Sequence, residues 1–100
     1  RQYQAASVAL KSLLKDYPDI DKQDRIQYYI VKSNKLFADN STSSKKLERY
    51  EETAKECTLF RETYPESEFS GEVNDIYNKT LVQINIHKNS THNGKEKRRN

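Results

Sequence analysis

Apolar residues recur along this chain at steps of three and four, the spacing that lines one face of an α-helix. Over residues 1–17 the stripe is Tyr3, Ala6, Leu10, Leu13 and Tyr17. Pro18 predicts its end, because proline disfavours helical geometry in the residue before it. A second helix is expected over 21–38, with Asp21 placed to cap it and Asp24 in its first turn, where the helix dipole favours a negative charge. Its apolar face reads Ile26, Tyr29, Ile30, Ser33 and Phe37. The stretch ADNSTSS (38–44) breaks the period and is rich in capping residues, so it is read as a loop. A third helix over 45–64, started by Ser43 or Ser44, carries Leu47, Tyr50, Ala54, Cys57, Phe60 and Tyr64 and stops at Pro65. The fourth, over 68–86 and opened by Ser67 or Ser70, carries Phe69, Val73, Ile76, Tyr77, Leu81 and Ile84. From His87 onward no apolar residue occurs, and residues 87–100 read as a basic, disordered tail.

The halves superpose. A shift of 47 residues lays Tyr3 on Tyr50, Leu10 on Cys57, Leu13 on Phe60, Tyr17 on Tyr64 and Pro18 on Pro65. It continues into the second helix of each half, with Ile26 on Val73, Tyr29 on Ile76 and Ile30 on Tyr77. Each unit is thus helix, Tyr-Pro turn, helix. The spacing fits a tetratricopeptide-like unit of about 34 residues with an insertion around residues 38–46. The expected fold is all-α: two helical hairpin repeats, 1–37 and 45–86, stacked as a right-handed α-solenoid of four helices. Such pairs cannot cover their own apolar faces, and about three are normally needed for stability. With two present and the first starting at Arg1 without an initiator methionine, the chain reads as the end of a longer array, or as a processed product. Its N-terminal edge would then pack on a preceding repeat, and the piece alone is expected to self-associate.

Composition narrows what such a fold can do. The apolar and charged fractions are both 33 %, so one narrow core is possible but no thick interior around a catalytic cleft. The formal charge of +3 belongs to the tail, since residues 1–86 hold 13 of the 18 Lys/Arg and 14 of the 15 Asp/Glu. A nucleic-acid module should be basic on its folded part, and this body is a mixed-charge surface. No run approaches the ~20 apolar residues of a membrane span.

Candidate chemistry is thin. Cys57, the single cysteine, excludes an internal disulfide and a cysteine-based metal site; on the buried stripe it reads as a packed thiol. His87 and His92 lack the further ligands a metal needs, so no metal or cofactor is expected. Glu51–Glu52 and Asp19–Asp21 read as solvated charge rather than as general acid and base. Asn40, Asn78 and Asn89 each begin a tripeptide that fits the N-glycosylation pattern. Tyr17 and Tyr64 are expected to pack between the helices of their pairs with wet hydroxyls. Tyr28 points off the Ile26–Ile30 face, which leaves it either an interface aromatic or a second core contact. Lys45, Lys46 and Arg49 cluster at the start of the third helix, where basic charge opposes the dipole, and read as either a partner-docking patch or a solvated helix start. The segment GKEKRR (94–99) suits a solubilising end more than contact with anionic lipid or nucleic acid.

Four segments carry a family likeness. AASVALKSLLKDYPDI (5–20), IVKSNKLFADNS (30–41), SKKLERYEET (44–53) and FRETYPESEF (60–69) resemble, in order and spacing, the C-terminal two repeats of the Bacteroidetes-type outer membrane assembly factors of the BamD family. The likeness spans roughly residues 1–84. It implies a non-catalytic, all-helical scaffold on the periplasmic face of the outer membrane, whose C-terminal repeats dock the periplasmic domains of the barrel-forming subunit BamA. The lipid-bearing cysteine and the first three repeats of that pattern are missing here, so membrane attachment and substrate reading are not carried over. The basic tail also has no counterpart in the family pattern. The likeness further implies that the tripeptides at Asn40, Asn78 and Asn89 are accidents of composition. An unrelated tetratricopeptide adaptor holding a peptide or partner protein is the alternative.

Overall fold

In the computed structural model the backbone is described for residues 2–99 and the side chains for residues 2–89. Four helices follow in order: α1 (Gln2–Asp16), α2 (Gln23–Asp39), α3 (Ser43–Thr63) and α4 (Ser70–Arg99). No strand occurs among the described residues. The helices pack in chain order, α1 on α2, α2 on α3 and α3 on α4, with a smaller direct contact between α2 and α4.

The two Tyr-Pro turns are built alike. Tyr17 N–H donates to Leu13 O at 3.0 Å, and Ile20 N–H donates back to Tyr17 O at 3.1 Å. Forty-seven residues on, Tyr64 N–H donates to Phe60 O at 2.8 Å and Ser67 N–H to Tyr64 O at 3.1 Å. The helices that follow also start in register. Lys22 O accepts from Ile26 N–H at 3.4 Å, and Phe69 O accepts from Val73 N–H at 2.9 Å. Asp21, expected from sequence to cap α2, does not do so. The capping position is one residue later, at Lys22, whose left-handed backbone (φ 57°, ψ 44°) makes no side-chain cap. Phe69 likewise stands just ahead of α4, and Ser67 Oγ accepts from its N–H at 3.1 Å.

The loop between hairpins is shorter than expected, residues 40–42 instead of 38–44. Its polar residues satisfy the last carbonyls of α2, which lets that helix run on to Asp39. Asn40 Nδ2 donates to Leu36 O at 2.8 Å and Ser41 Oγ to Phe37 O at 2.5 Å. Asp39 accepts from Tyr50 Oη at 2.5 Å and pairs with Lys35 at 2.8 Å.

The core lies between α2, α3 and α4. Tyr28, Val31, Cys57, Phe60 and Val73 are buried together, with Tyr64, Phe69, Ile76 and Tyr77 packed against them. The apolar face expected for α2 needs correction. Tyr29 is 46 % exposed, whereas Gln27, Tyr28, Val31, Asn34 and Ala38 are buried beside Ile30. The cause is position: α2 is flanked by α1 on one side and α3 on the other, so it is covered on two faces and one stripe cannot describe it. At the edge of the stack, α1 buries only Ser7 fully.

The last helix does not stop at residue 86, and α4 continues to Arg99. Once a helix is formed, each further residue adds a hydrogen bond, and no proline follows Pro65 to interrupt it. The ring of His87 stacks on Tyr50 at 5.9 Å between centroids. What was expected of the side chains from residue 90 onward, His92 and the GKEKRR segment included, lies outside the described residues.

Candidate binding cleft

Three helices meet around a cleft of about 160 Å³. From α1 it receives Gln4, Ser7, Val8 and Lys11, spaced three and four apart so that they share one face. From α2 come Asn34 and Phe37, and from α3 Arg49 and Glu52. The two outer helices are consecutive first helices of the hairpins, and α2 forms the floor between them.

The floor is tied by a polar network. Glu56, 7 % exposed, accepts from Gln27 Nε2 at 2.9 Å and from Lys11 Nζ at 2.8 Å. One carboxylate from α3 thereby holds α2 and α1. A buried carboxylate is tolerated when a cation and a hydrogen bond both reach it, and both do. Lys11 also lies 4.0 Å from Glu52.

Asn34 stands apart from this network. It is 7 % exposed, and its Nδ2 finds no acceptor. Beside it Arg49 is held from two directions. Its guanidinium lies 4.1 Å over the Phe37 ring, and Nη1 donates to Ser41 Oγ at 2.8 Å. No carboxylate among the described residues pairs with Arg49.

The residues singled out from sequence do not form one patch. Arg49 faces the cleft, while Lys45 is exposed and Lys46 half-buried near the start of α3, neither lining it. Tyr28 is a core contact, 5 % exposed, because α2 turns that side towards α4 rather than towards solvent. Its ring stacks on Phe69 at 4.5 Å with 11° between planes, Lys32 lies 5.1 Å over it, and its hydroxyl donates to Glu72. Burial and the Glu72 carboxylate push that hydroxyl up to about 12. Burial pushes the Cys57 thiol up to about 12 as well, which leaves it protonated and unreactive. Asn34 was missed because a lone asparagine inside a helix carries no periodic signal. A polar residue one turn before Phe37, on a helix flanked by two others, was the available clue.

No group of three or more His, Cys, Asp or Glu placed to hold a metal occurs among the described residues. Nor is any helix in them long and apolar enough to cross a membrane. No protein-family model matches this chain, and no curated protein matches it.

Proposed function

We propose that this chain is a non-catalytic protein-binding scaffold: the C-terminal repeat pair of a BamD-like assembly factor, stacked as a tetratricopeptide-like solenoid and docking the periplasmic domains of a BamA-type barrel subunit. The observation that carries this reading is the recurrence, 47 residues apart, of the same turn hydrogen bonds at Tyr17 and Tyr64 and the same helix starts at Lys22 and Phe69. Two copies of one local structure, joined in chain order, support a repeat array, and arrays of this kind work by presenting surface. The likeness of residues 5–20, 30–41, 44–53 and 60–69 to the assembly-factor family supplies the partner and the periplasmic location. No cofactor enters the reading.

Exposed apolar side chains support it further. Val8 on α1 is 57 % exposed, and Val82 and Ile86 on α4 are 56 % and 51 % exposed. Tyr29 and Leu36 on α2 and Leu59 on α3 are exposed as well, so all four helices offer apolar surface to a partner.

The test is complex formation in solution between the full chain and the periplasmic domains of a BamA-type subunit. A stable one-to-one species on size-exclusion chromatography is expected. Its repeated absence under mild conditions overturns the assignment. The alternative, a general peptide adaptor, draws support from the cleft between α1, α2 and α3, which is shaped to take a side chain.

A further inference from the structure

We infer that the outer face of α4 takes the open edge of the α1–α2 hairpin of a second copy of this chain, repeating the contact that α2 makes with α3 and α4. The contact needs no BamA-type partner.

The two hairpins match closely enough to set its register. A shift of 47 residues carries the end of α1 at Asp16 to the end of α3 at Thr63, and the start of α2 at Gln23 to the start of α4 at Ser70. Burial does not follow that shift. Tyr50, Thr53, Cys57, Phe60 and Val73 are buried; Tyr28 and Val31 of α2 pack on the last three, and Asp39 of α2 takes the Tyr50 hydroxyl. Their counterparts Tyr3, Ala6, Leu10, Leu13 and Ile26 are only half-buried. On α2 the covering side is Gln27, Tyr28, Val31, Asn34 and Ala38, all buried. On α4 every counterpart, Asn74, Asp75, Asn78, Leu81 and Asn85, is exposed. Among the described residues, one hairpin lacks a covering helix and the other has a covering side with nothing beneath it.

The two faces match when each internal contact is shifted by 47 residues. Tyr28 donates to Glu72 and stacks on Phe69; shifted, Asp75 meets Arg25 and Lys22 of the next copy, an acid between two bases. Arg25 over Phe69 becomes Glu72 beside Lys22. Glu56, held by Gln27 and Lys11, becomes Ala9 beside Asn74 and Thr58, so no buried carboxylate loses its cation. Tyr50 on Asp39 becomes Tyr3 against Ile86, apolar on both sides. Both partners change together at each of these places. In the groove where Lys35 lies beside Ile76, the shift brings Val82 beside Tyr29. Val82, Ile86 and Tyr29 are 56 %, 51 % and 46 % exposed, and exposed apolar patches mark contact surfaces. Lys79 falls beside Lys32, as those two already share that groove within one copy. Asn78 is the mismatch. It stands where α2 has Val31 and faces Leu10 and Leu13, which makes the contact between copies weaker than the contact inside one. Two different faces meet, and each copy carries one of each, so the assembly does not close on a pair.

The experiment is sedimentation velocity of the full chain over a concentration series, alone and as variants whose fold is checked by circular dichroism. The weight-average mass of the natural chain is expected to rise with concentration and pass that of a dimer. A monomer at every concentration up to saturation overturns the inference, and so does a plateau at the dimer, which marks like face on like face. Asp75→Lys and Arg25→Glu should each weaken association about ten-fold or more, since each sets like charges opposite one another. Their equimolar mixture should recover most of that loss, because each reversed face finds its opposite on the other variant. No recovery overturns the register. Asn78→Val should tighten association about five-fold or more by adding apolar contact at an exposed position, and unchanged or weaker association overturns the packing of α4 on Leu10 and Leu13. Val82→Lys should weaken association about ten-fold or more without touching the core, and unchanged association overturns the α4 face. Should Arg25→Glu fail to fold, since Arg25 lies over Phe69, Asn78→Val and Val82→Lys decide.

Discussion

The Tyr17 and Tyr64 turns share a sequence and a hydrogen-bond pattern, but not an environment. Tyr17 is 62 % exposed, against the expectation that it packs between the helices of its pair. Tyr64 packs on the core cluster, its ring 5.5 Å from Phe60, and its hydroxyl donates to Gln23 at 3.4 Å. The second turn is also fastened to α2 by Ser67 Oγ, which donates to Asp24 Oδ2 at 2.6 Å, and by Phe69 under Tyr28. Among the described residues nothing equivalent reaches the first turn, because what fastens the second is the start of the preceding α2. A Tyr-Pro step therefore writes its local hydrogen bonds wherever it stands, and neighbours decide whether the ring is worth anything.

The sharpest way to break this comparison is to delete the equivalent apolar anchors. Phe60 is fully buried and Leu13, its counterpart 47 residues earlier, is half-buried. Phe60→Ala should cost about 3–5 kcal/mol, the range for a buried aromatic that leaves a cavity, and Leu13→Ala less than half of that. Urea denaturation followed by circular dichroism measures both. Equal losses would mean the first hairpin is packed as tightly as the second. Next in size are the tyrosines themselves. Tyr64→Ala should cost about 2 kcal/mol or more, whereas Tyr17→Ala should stay within about 0.5 kcal/mol, as surface changes usually do.

Alkaline pH tests the second region specifically. Tyr28 and Cys57 are both pushed up to about 12 by burial, from ordinary values of 10.0 and 9.0, and burial raises Tyr50 and Tyr64 as well. A group raised in the folded state contributes stability that is fully present below its unfolded value and is lost as pH rises through the folded one. Stability should therefore hold up to about pH 9 and fall between about pH 9 and 12. Tyr28→Phe should flatten part of that fall, read as the urea midpoint against pH. It also leaves Glu72 without its donor, so the variant is compared at each pH with its own neutral-pH value.

The elements were legible because their causes are local. Pro18 and Pro65 stop helices wherever they stand, and within α1 and α3 the three- and four-residue steps fall on residues that are buried or half-buried. What was not legible came from neighbours. Tyr28 and Tyr29 exchange roles because α2 is covered by helices that its own sequence does not mention. The polar run at 38–44 reads as loop by composition, yet Asn40 and Ser41 turn back on the carbonyls of α2 and shorten it. Of the candidate site, Arg49 was visible as part of a basic cluster. Asn34 was invisible because an unpaired amide is a property of packing, not of order along the chain.

The smallest expected effect concerns the one backbone difference between the turns. Lys22 is the single described non-glycine residue with positive φ, at 57°, while its counterpart Phe69 is in ordinary geometry. A left-handed residue with a Cβ costs roughly 1–2 kcal/mol, part of which glycine gives back through the entropy of the unfolded chain. Lys22→Gly should therefore stabilise the protein by up to about 1 kcal/mol, and Phe69→Gly should do the opposite by removing the ring stacked on Tyr28. Differential scanning calorimetry of the pair gives both signs in one comparison. A loss at Lys22 would show that its backbone is held by something other than the demands of the turn, and the likeness of the two Tyr-Pro steps would then end at Ile20 and Ser67.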